Sequence, residues 1–173
     1  TSRVVKTPYK GHELLMDADD LVGWHFLMLK SFDPEVSEVL CAVGEASPRQ
    51  VLWDIGANKG ACAYAVATEL PRSRVVLIEP QAALAELLEH NMQKLAPGRF
   101  ELHAVGVGAK EEMLELVIPD DNRGRASLVL DVGAADCRKV MVPMRTARQI
   151  AGDSALGWPT LAKIDVEGFE PQV

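Results

Sequence analysis

The 173-residue chain is poor in cysteine, has no long apolar run and carries no excess of positive charge. Each shortage excludes something. Cys41, Cys62 and Cys137 are odd in number, widely spaced and without a C-x-x-C pair. That set does not make a disulfide framework or a zinc site, and it fits reduced packing thiols in a cytoplasmic compartment. Purely apolar stretches are short, such as Phe26–Leu29 and Leu128–Leu130, far below the roughly 18 residues that a membrane helix needs. Thr1–Lys10 has no apolar core of the signal-peptide kind. The formal net charge of -7 and the pI near 5.1 argue against nucleic acid held through its phosphates, and equally against an anionic membrane surface.

Repeats, low-complexity runs and flexible linkers are also missing, and the length suits one sizeable core. Residues 1–47 read as a helical and extended lead-in that packs against the main sheet. They hold extended segments at Val4–Val5 and Glu13–Asp17 around a turn at Pro8–Gly11, then a mixed helical pattern from Asp20 to Lys30. A helix begins at Asp33-Pro34-Glu35, carries Val36, Val39, Leu40 and Val43 at helical spacing, and stops at Gly44.

From Pro48 onward strand and helix alternate. Val51–Trp53 is a short buried strand ending at Asp54, and Gly60–Leu70 is an alanine-rich helix closed by Pro71. Val75–Ile78 is a second buried strand, ending at Glu79-Pro80. Gln81–Leu95 is a helix with Leu84, Leu87, Leu88, Met92 and Leu95 on one side, and Phe100–Val107 is a third strand. Continuous apolar strands separated by helices imply an α/β fold with a parallel sheet, and right-handed crossovers set these strands in the order 3-2-1. Glu112–Ile118 and Ala126–Leu130 flank a polar loop, Pro119–Gly124, which reads as a β-hairpin insertion. Lys139–Arg145 alternates like a strand, Thr146–Ala151 is a short helix, and Leu161–Ile164 is a fourth buried strand ending at Asp165.

Ligands of open α/β sheets bind at the carboxyl ends of the strands, where the order reverses. The unusual residues fall there: Asp54-Ile55-Gly56-Ala57-Asn58-Lys59-Gly60 after strand one, Glu79-Pro80 after strand two, and Asp165-Val166-Glu167-Gly168 after strand four. Glycine in a strand-to-helix turn lets a ligand approach the backbone. Glu79, 25 residues beyond Asp54, sits on the adjacent strand end, where a carboxylate accepts hydrogen bonds from both hydroxyls of a ribose. A dinucleotide turn has glycine where this chain has Asn58, so that backbone reaches a pyrophosphate. A nucleoside bearing a sulfonium, an ammonium and a carboxylate but no phosphate tolerates the acidic Asp54 better. Taken singly, Asp54 is a helix cap, the glycines are turn residues and Glu79 is a solvated strand end.

These residues carry a family resemblance. The glycine turn at 54–60, Glu79-Pro80, Asn91, Ala104-Val105-Gly106, the segment Asn122 to Leu128 around Ser127-Leu128, and above all Lys163-Ile164-Asp165-Val166-Glu167-Gly168-Phe169-Glu170 resemble the FkbM-type methyltransferases. The resemblance implies a Rossmann-like class I sheet, order 3-2-1-4, with S-adenosyl-L-methionine as cofactor and O-methylation of sugars or other small natural-product hydroxyls. It implies that Asp54, Gly56, Asn58 and Gly60 surround the methionine part, Glu79 holds the ribose, the backbone near Val105 borders the adenine, and Asp165 lies near the transferred methyl. Such domains continue past this motif with another helix and further strands, so 48–173 is expected to be a cofactor-binding domain truncated at its C-terminal end. An unfinished sheet leaves an edge that invites pairing with a second copy.

A neutral hydroxyl is a weak nucleophile, and Asp165 or Glu167 is the expected base or acceptor-orienting group. No metal is expected, although these two carboxylates are the pair that would hold one. His12, His25, His90 and His103 have no ligand spacing. Ser127 and Asn122 either close over the cofactor or cap their turn. A nicotinamide-dependent oxidoreductase and a catalytically silent binding module are the competing functions.

Overall fold

The computed structural model describes residues 3–47, 50–119, 126–129 and 137–173. Two antiparallel strands open it, β1 (Val4–Tyr9) and β2 (His12–Asp17). Lys10 and Gly11 join them with φ of 44° and 85°, the left-handed pair that a two-residue hairpin turn requires. Helix α1 (Leu21–Leu29) is capped by the Asp20 side chain, which accepts from the Gly23 N–H. Helix α2 (Pro34–Glu45) follows with proline in its first turn. Gly44 lies inside α2 and does not stop it. A Cβ there would sit 2.0 Å from Gln50 Oε1 and 2.3 Å from Leu70 Cδ1, and these two side-chain ends would have to shift to admit it.

The central sheet is built from β3 (Val51–Ile55), β4 (Arg74–Ile78), β5 (Phe100–His103) and, late in the chain, β9 (Leu161–Ile164). All pairings are parallel and the order is β5-β4-β3-β9, the 3-2-1-4 arrangement expected. Helices α3 (Ala61–Glu69) and α4 (Ala82–Leu95) make the crossovers. Every residue of β3 is buried, as is Val75–Ile78 of β4. Leu52, Val75 and Leu77 pack toward α3, α4 and the lead-in, while Val51, Trp53, Ile55, Val76 and Ile78 pack with Val107 and Ile150 on the other face.

Three expectations need correction. The stretch Phe100–Val107 is not one strand, because the chain leaves the main sheet after His103. Gly106–Val107 forms β6, which pairs with β8 (Cys137–Arg145) in a second sheet completed by β7 (Glu112–Pro119), in the order β6-β8-β7. The eight-residue strand β7 pairs along its length with β8, whereas Ala126–Val129 meets it only at one bridge, Val117 to Ser127. Asn122 and the polar loop around it lie outside the described residues. Finally, β9 is not fully buried: its residues alternate half-buried and exposed, with Ile164 46% exposed. It lies at the end of the strand order with β3 as its one neighbour among the described residues. Helix α5 (Ala147–Asp153) begins with a capping box between Thr146 and Gln149. No helix among the described residues is long and apolar enough to cross a membrane.

Candidate functional site

The ends of β3, β4 and β9 converge on the glycine turn. The Gly56 and Ala57 N–H groups both donate to the Ile78 carbonyl, at 3.0 and 3.1 Å, and the Asp165 N–H donates to the Ile55 carbonyl at 3.1 Å. Gly56 has φ 75°, and a Cβ there would lie 2.0 Å from the Asp165 carbonyl oxygen. No side chain fits at 56. Asn58, also left-handed at φ 49°, turns its N–H onto Glu79 Oε2 at 2.8 Å, while the Gln81 N–H donates to Oε1 at 2.9 Å. Glu79 is 3% exposed. Burial pushes its carboxyl up to about 7, against the opposing pull of the Gln81 and Asn58 N–H bonds and of Lys163.

Asp54, on β3, is 1% exposed, and neither carboxylate oxygen accepts a well-aligned hydrogen bond. Its compensation is the Lys163 ammonium, 3.2 Å from Oδ1. That ammonium also donates to the Gly56 carbonyl at 2.8 Å and stands 3.4 Å from Asp165 Oδ2. Beyond β9 the chain bends sharply, with Glu167 at φ 52° and Gly168 at φ 94°. The Ser127 hydroxyl donates to the Glu167 carbonyl at 2.7 Å and accepts from the Val129 N–H at 3.2 Å. Ser127 therefore fastens segment 126–129 to this bend, while its neighbours Ala126 and Leu128 face the adjoining cavity.

Two cavities lie under these strand ends. The first, about 290 Å³, is lined by Gly56, Glu79, Val105 and Glu167 together with the apolar Ile55, Ile78, Val107 and Phe169. The second, about 280 Å³, is lined by Asp54, Gly60, Cys62 and Lys163. Asn58 and Asp165 border both, as do Val22, Phe32 and Asp33 from the lead-in. The residues singled out in the sequence thus gather in one region. Asp54 and Glu79 do not share a cavity; they face adjoining ones across a common wall.

Lys59 and Lys163 stand inside the motifs quoted from the sequence but were given no role there, and the lead-in residues Val22, Phe32 and Asp33 were not expected at the site. A lysine inside the apolar strand Leu161-Ala162-Lys163-Ile164 was the available signal, since a buried cation needs a buried partner. Nothing in the sequence pairs Phe32 with Asp165. Among the described residues, no group of three His, Cys, Asp or Glu side chains is placed to hold a metal ion.

The model of the methyltransferase FkbM domain family matches residues 54–173. The chain belongs to this family. A 64-residue stretch is 38% identical to the AMB antimetabolite synthetase AmbE of Pseudomonas aeruginosa, covering 37% of this chain and 3% of that protein. Solved structures similar to it include P. horikoshii TYW2 in complex with MeSAdo, at a TM-score of 0.44 and 17% identity over 61% of this chain and 37% of that one. Another is precorrin-6y C5,15-methyltransferase from Geobacter metallireducens GS-15, at a TM-score of 0.33 and 22% identity over 39% of this chain and 36% of that one. The chain therefore spans a small part of the synthetase and little more than a third of either structure.

The cofactor of this FkbM domain is S-adenosyl-L-methionine. The residues present fit it. Among the described residues, the buried polar atoms that line the cavities without a well-aligned hydrogen bond are Asp54 Oδ1 and Oδ2 and Asn58 Oδ1, all acceptors. Ribose hydroxyls and an ammonium are donors, which such a site satisfies; a pyrophosphate, itself an acceptor, needs N–H groups instead.

Proposed function

We propose that this chain is the cofactor-binding part of an S-adenosylmethionine-dependent O-methyltransferase acting on a hydroxyl of a sugar or other small natural product. The observation that carries the reading is the pair of buried carboxylates, Asp54 and Glu79, in adjoining cavities beneath one glycine turn. On this reading residues 48–173 form the cofactor domain, and residues 1–47 are a lead-in that contributes Val22, Phe32 and Asp33 to its wall. The odd, scattered set Cys41, Cys62 and Cys137 suits a cytoplasmic setting.

Glu79 holds the ribose through the lone pairs its two backbone bonds leave over. Gly56, Asn58 and Gly60 line the path of the methionine part, and Asp54 receives its ammonium. The helix α3 N-terminus, which no side chain caps, suits the carboxylate. The Val105 backbone borders the adenine in the more apolar cavity.

The bound cofactor supplies an electrophilic methyl on a positively charged sulfur. Asp165, 54% exposed and bordering both cavities, stands where an acceptor enters. Its carboxylate, or that of Glu167, would take the proton that the hydroxyl oxygen loses as it bonds to the methyl carbon, the methyl–sulfur bond breaking with its electron pair left on sulfur. Phe169, Leu128 and Ala126 exclude water from the same space. Placement of the two reactants supplies most of the acceleration, since in-line transfer needs little else.

Calorimetric titration with S-adenosylmethionine and, separately, with nicotinamide dinucleotide tests the reading. Binding of the first alone is expected, and binding of the dinucleotide alone overturns it. Turnover with a panel of hydroxyl acceptors then tests the transfer. Asp165→Asn or Glu167→Gln is expected to lower turnover at least about a hundredfold with cofactor affinity retained; if neither does, the assigned base is wrong.

A further inference from the structure

Lys163 stands where β9, β3 and the glycine turn meet, with its side chain 14% exposed. Burial works against its charge, but Asp54 and Asp165 outweigh that effect and its pKa is raised above the ordinary lysine value. The ammonium is therefore a fixed cation lying between two carboxylates, 3.2 Å from Asp54 and 3.4 Å from Asp165. Removing either partner of a buried pair leaves its charge uncompensated.

The donor and the product left after methyl transfer share the nucleoside, the ammonium and the carboxylate. They differ in one methyl group and one positive charge, both at sulfur. A change in the shape of the site alters the binding of both. A change in its charge acts on the ammonium and carboxylate that both carry and, in the donor alone, on the sulfonium, so the ratio of the two affinities isolates that last effect.

We propose that Lys163 is a positioning residue that sets how strongly the site prefers the charged donor to the uncharged product, by neutralising Asp54 and holding it against the Gly56 turn. This rests on the cofactor assignment above. With Lys163 present, the three charged groups sum to a single negative charge. Without it they sum to two, and excess attraction for the sulfonium strengthens the ground state more than the transition state, where that charge is fading.

The test is the ratio of affinities for S-adenosylmethionine and S-adenosylhomocysteine, measured by calorimetry on the full chain. In Lys163→Met the ratio is expected to shift about fivefold toward the donor, and in Asp54→Asn by a similar factor toward the product. The double variant carries the same net charge as the original site, and its ratio is expected to return to the original value. Lys163→Arg, which keeps the charge, is expected to leave the ratio unchanged. If every variant weakens both ligands alike, the ratio stays flat and the proposal is overturned in favour of a purely structural lysine. Should Lys163→Met not fold, Asp54→Asn and the double variant decide by themselves, because the ratio must fall in the first and recover in the second. An original chain that binds neither ligand removes the cofactor assignment itself, and this proposal with it.

Discussion

Glu79 binds two backbone N–H groups, one to each carboxylate oxygen, and keeps a lone pair on each for a ligand. Burial, opposed by those bonds, puts its carboxyl at about 7 from an ordinary 4.5. Two slopes of opposite sign follow. Between those values the unfolded chain releases a proton that the fold retains, so this group's contribution to stability is full below pH 4.5 and is lost as pH rises through about 7. Ribose hydroxyls donate to the ionised form, so donor affinity is expected to be level above about pH 7 and to fall toward tenfold per unit below it. Glu79→Gln is expected to weaken binding at neutral pH and to flatten both slopes. Thermal unfolding and calorimetry across a pH series read the two separately; a slope that persists in Glu79→Gln assigns it to another group. This residue was legible in the sequence from its place at a strand end, 25 residues after Asp54. Its anchoring was not, because the Asn58 N–H reaches it through a left-handed backbone that only the folded turn reveals.

At the scale of elements, one buried amide joins the opening hairpin to the sheet's helices. Asn91, on α4 and 0% exposed, donates to the Leu15 carbonyl at 2.7 Å and to the Tyr64 hydroxyl at 2.8 Å, and accepts from the Leu15 N–H at 2.8 Å. It thus acts as an extra strand residue against β2, in the middle of an otherwise apolar helix face of Leu84, Leu88, Met92 and Leu95. Asn91→Leu leaves the Leu15 backbone unpaired, and about 2–4 kcal/mol of stability is expected to go with it. Denaturant unfolding reads the loss, and hydrogen exchange at the Leu15 amide should rise with it; an unchanged amide would show that the hairpin is held elsewhere. The parallel strands were legible because residues buried on both faces read as continuous apolar runs, as in Val75–Ile78. The pairing of β7 with β8 was not. A polar loop after Pro119 points to the nearest following segment, yet the β8 partner of Leu114 is Val142, 28 residues on. Nor does any local pattern mark the exit from the sheet between His103 and Gly106, since both flanks suit extended backbone.

At the scale of the whole molecule, a buried ion pair ties the lead-in to the glycine turn. Lys59, inside the glycine turn, donates to the Asp20 carboxylate and, at 3.1 Å, to the Asp17 carbonyl. Its side chain is 2% exposed and that of Asp20 is 0% exposed. Asp20 also caps α1, the helix that carries Val22 to the cavity wall. This contact therefore couples the start of α1 to the glycine turn. Lys59→Met strands a buried carboxylate and is expected to cost about 3–5 kcal/mol. Pairing it with Asp20→Asn, which keeps an acceptor for the Gly23 N–H without the charge, is expected to recover most of that loss. If the lead-in belongs to the cofactor site, Asp20→Asn alone must also weaken donor binding, although residue 20 itself lines neither cavity. A urea-unfolding cycle on the four proteins, with donor titrations on those that fold, separates the two effects. Destabilisation by Asp20→Asn with donor affinity unchanged would make the lead-in a support for the core and nothing more, and Val22, Phe32 and Asp33 would then border the cavities without serving them.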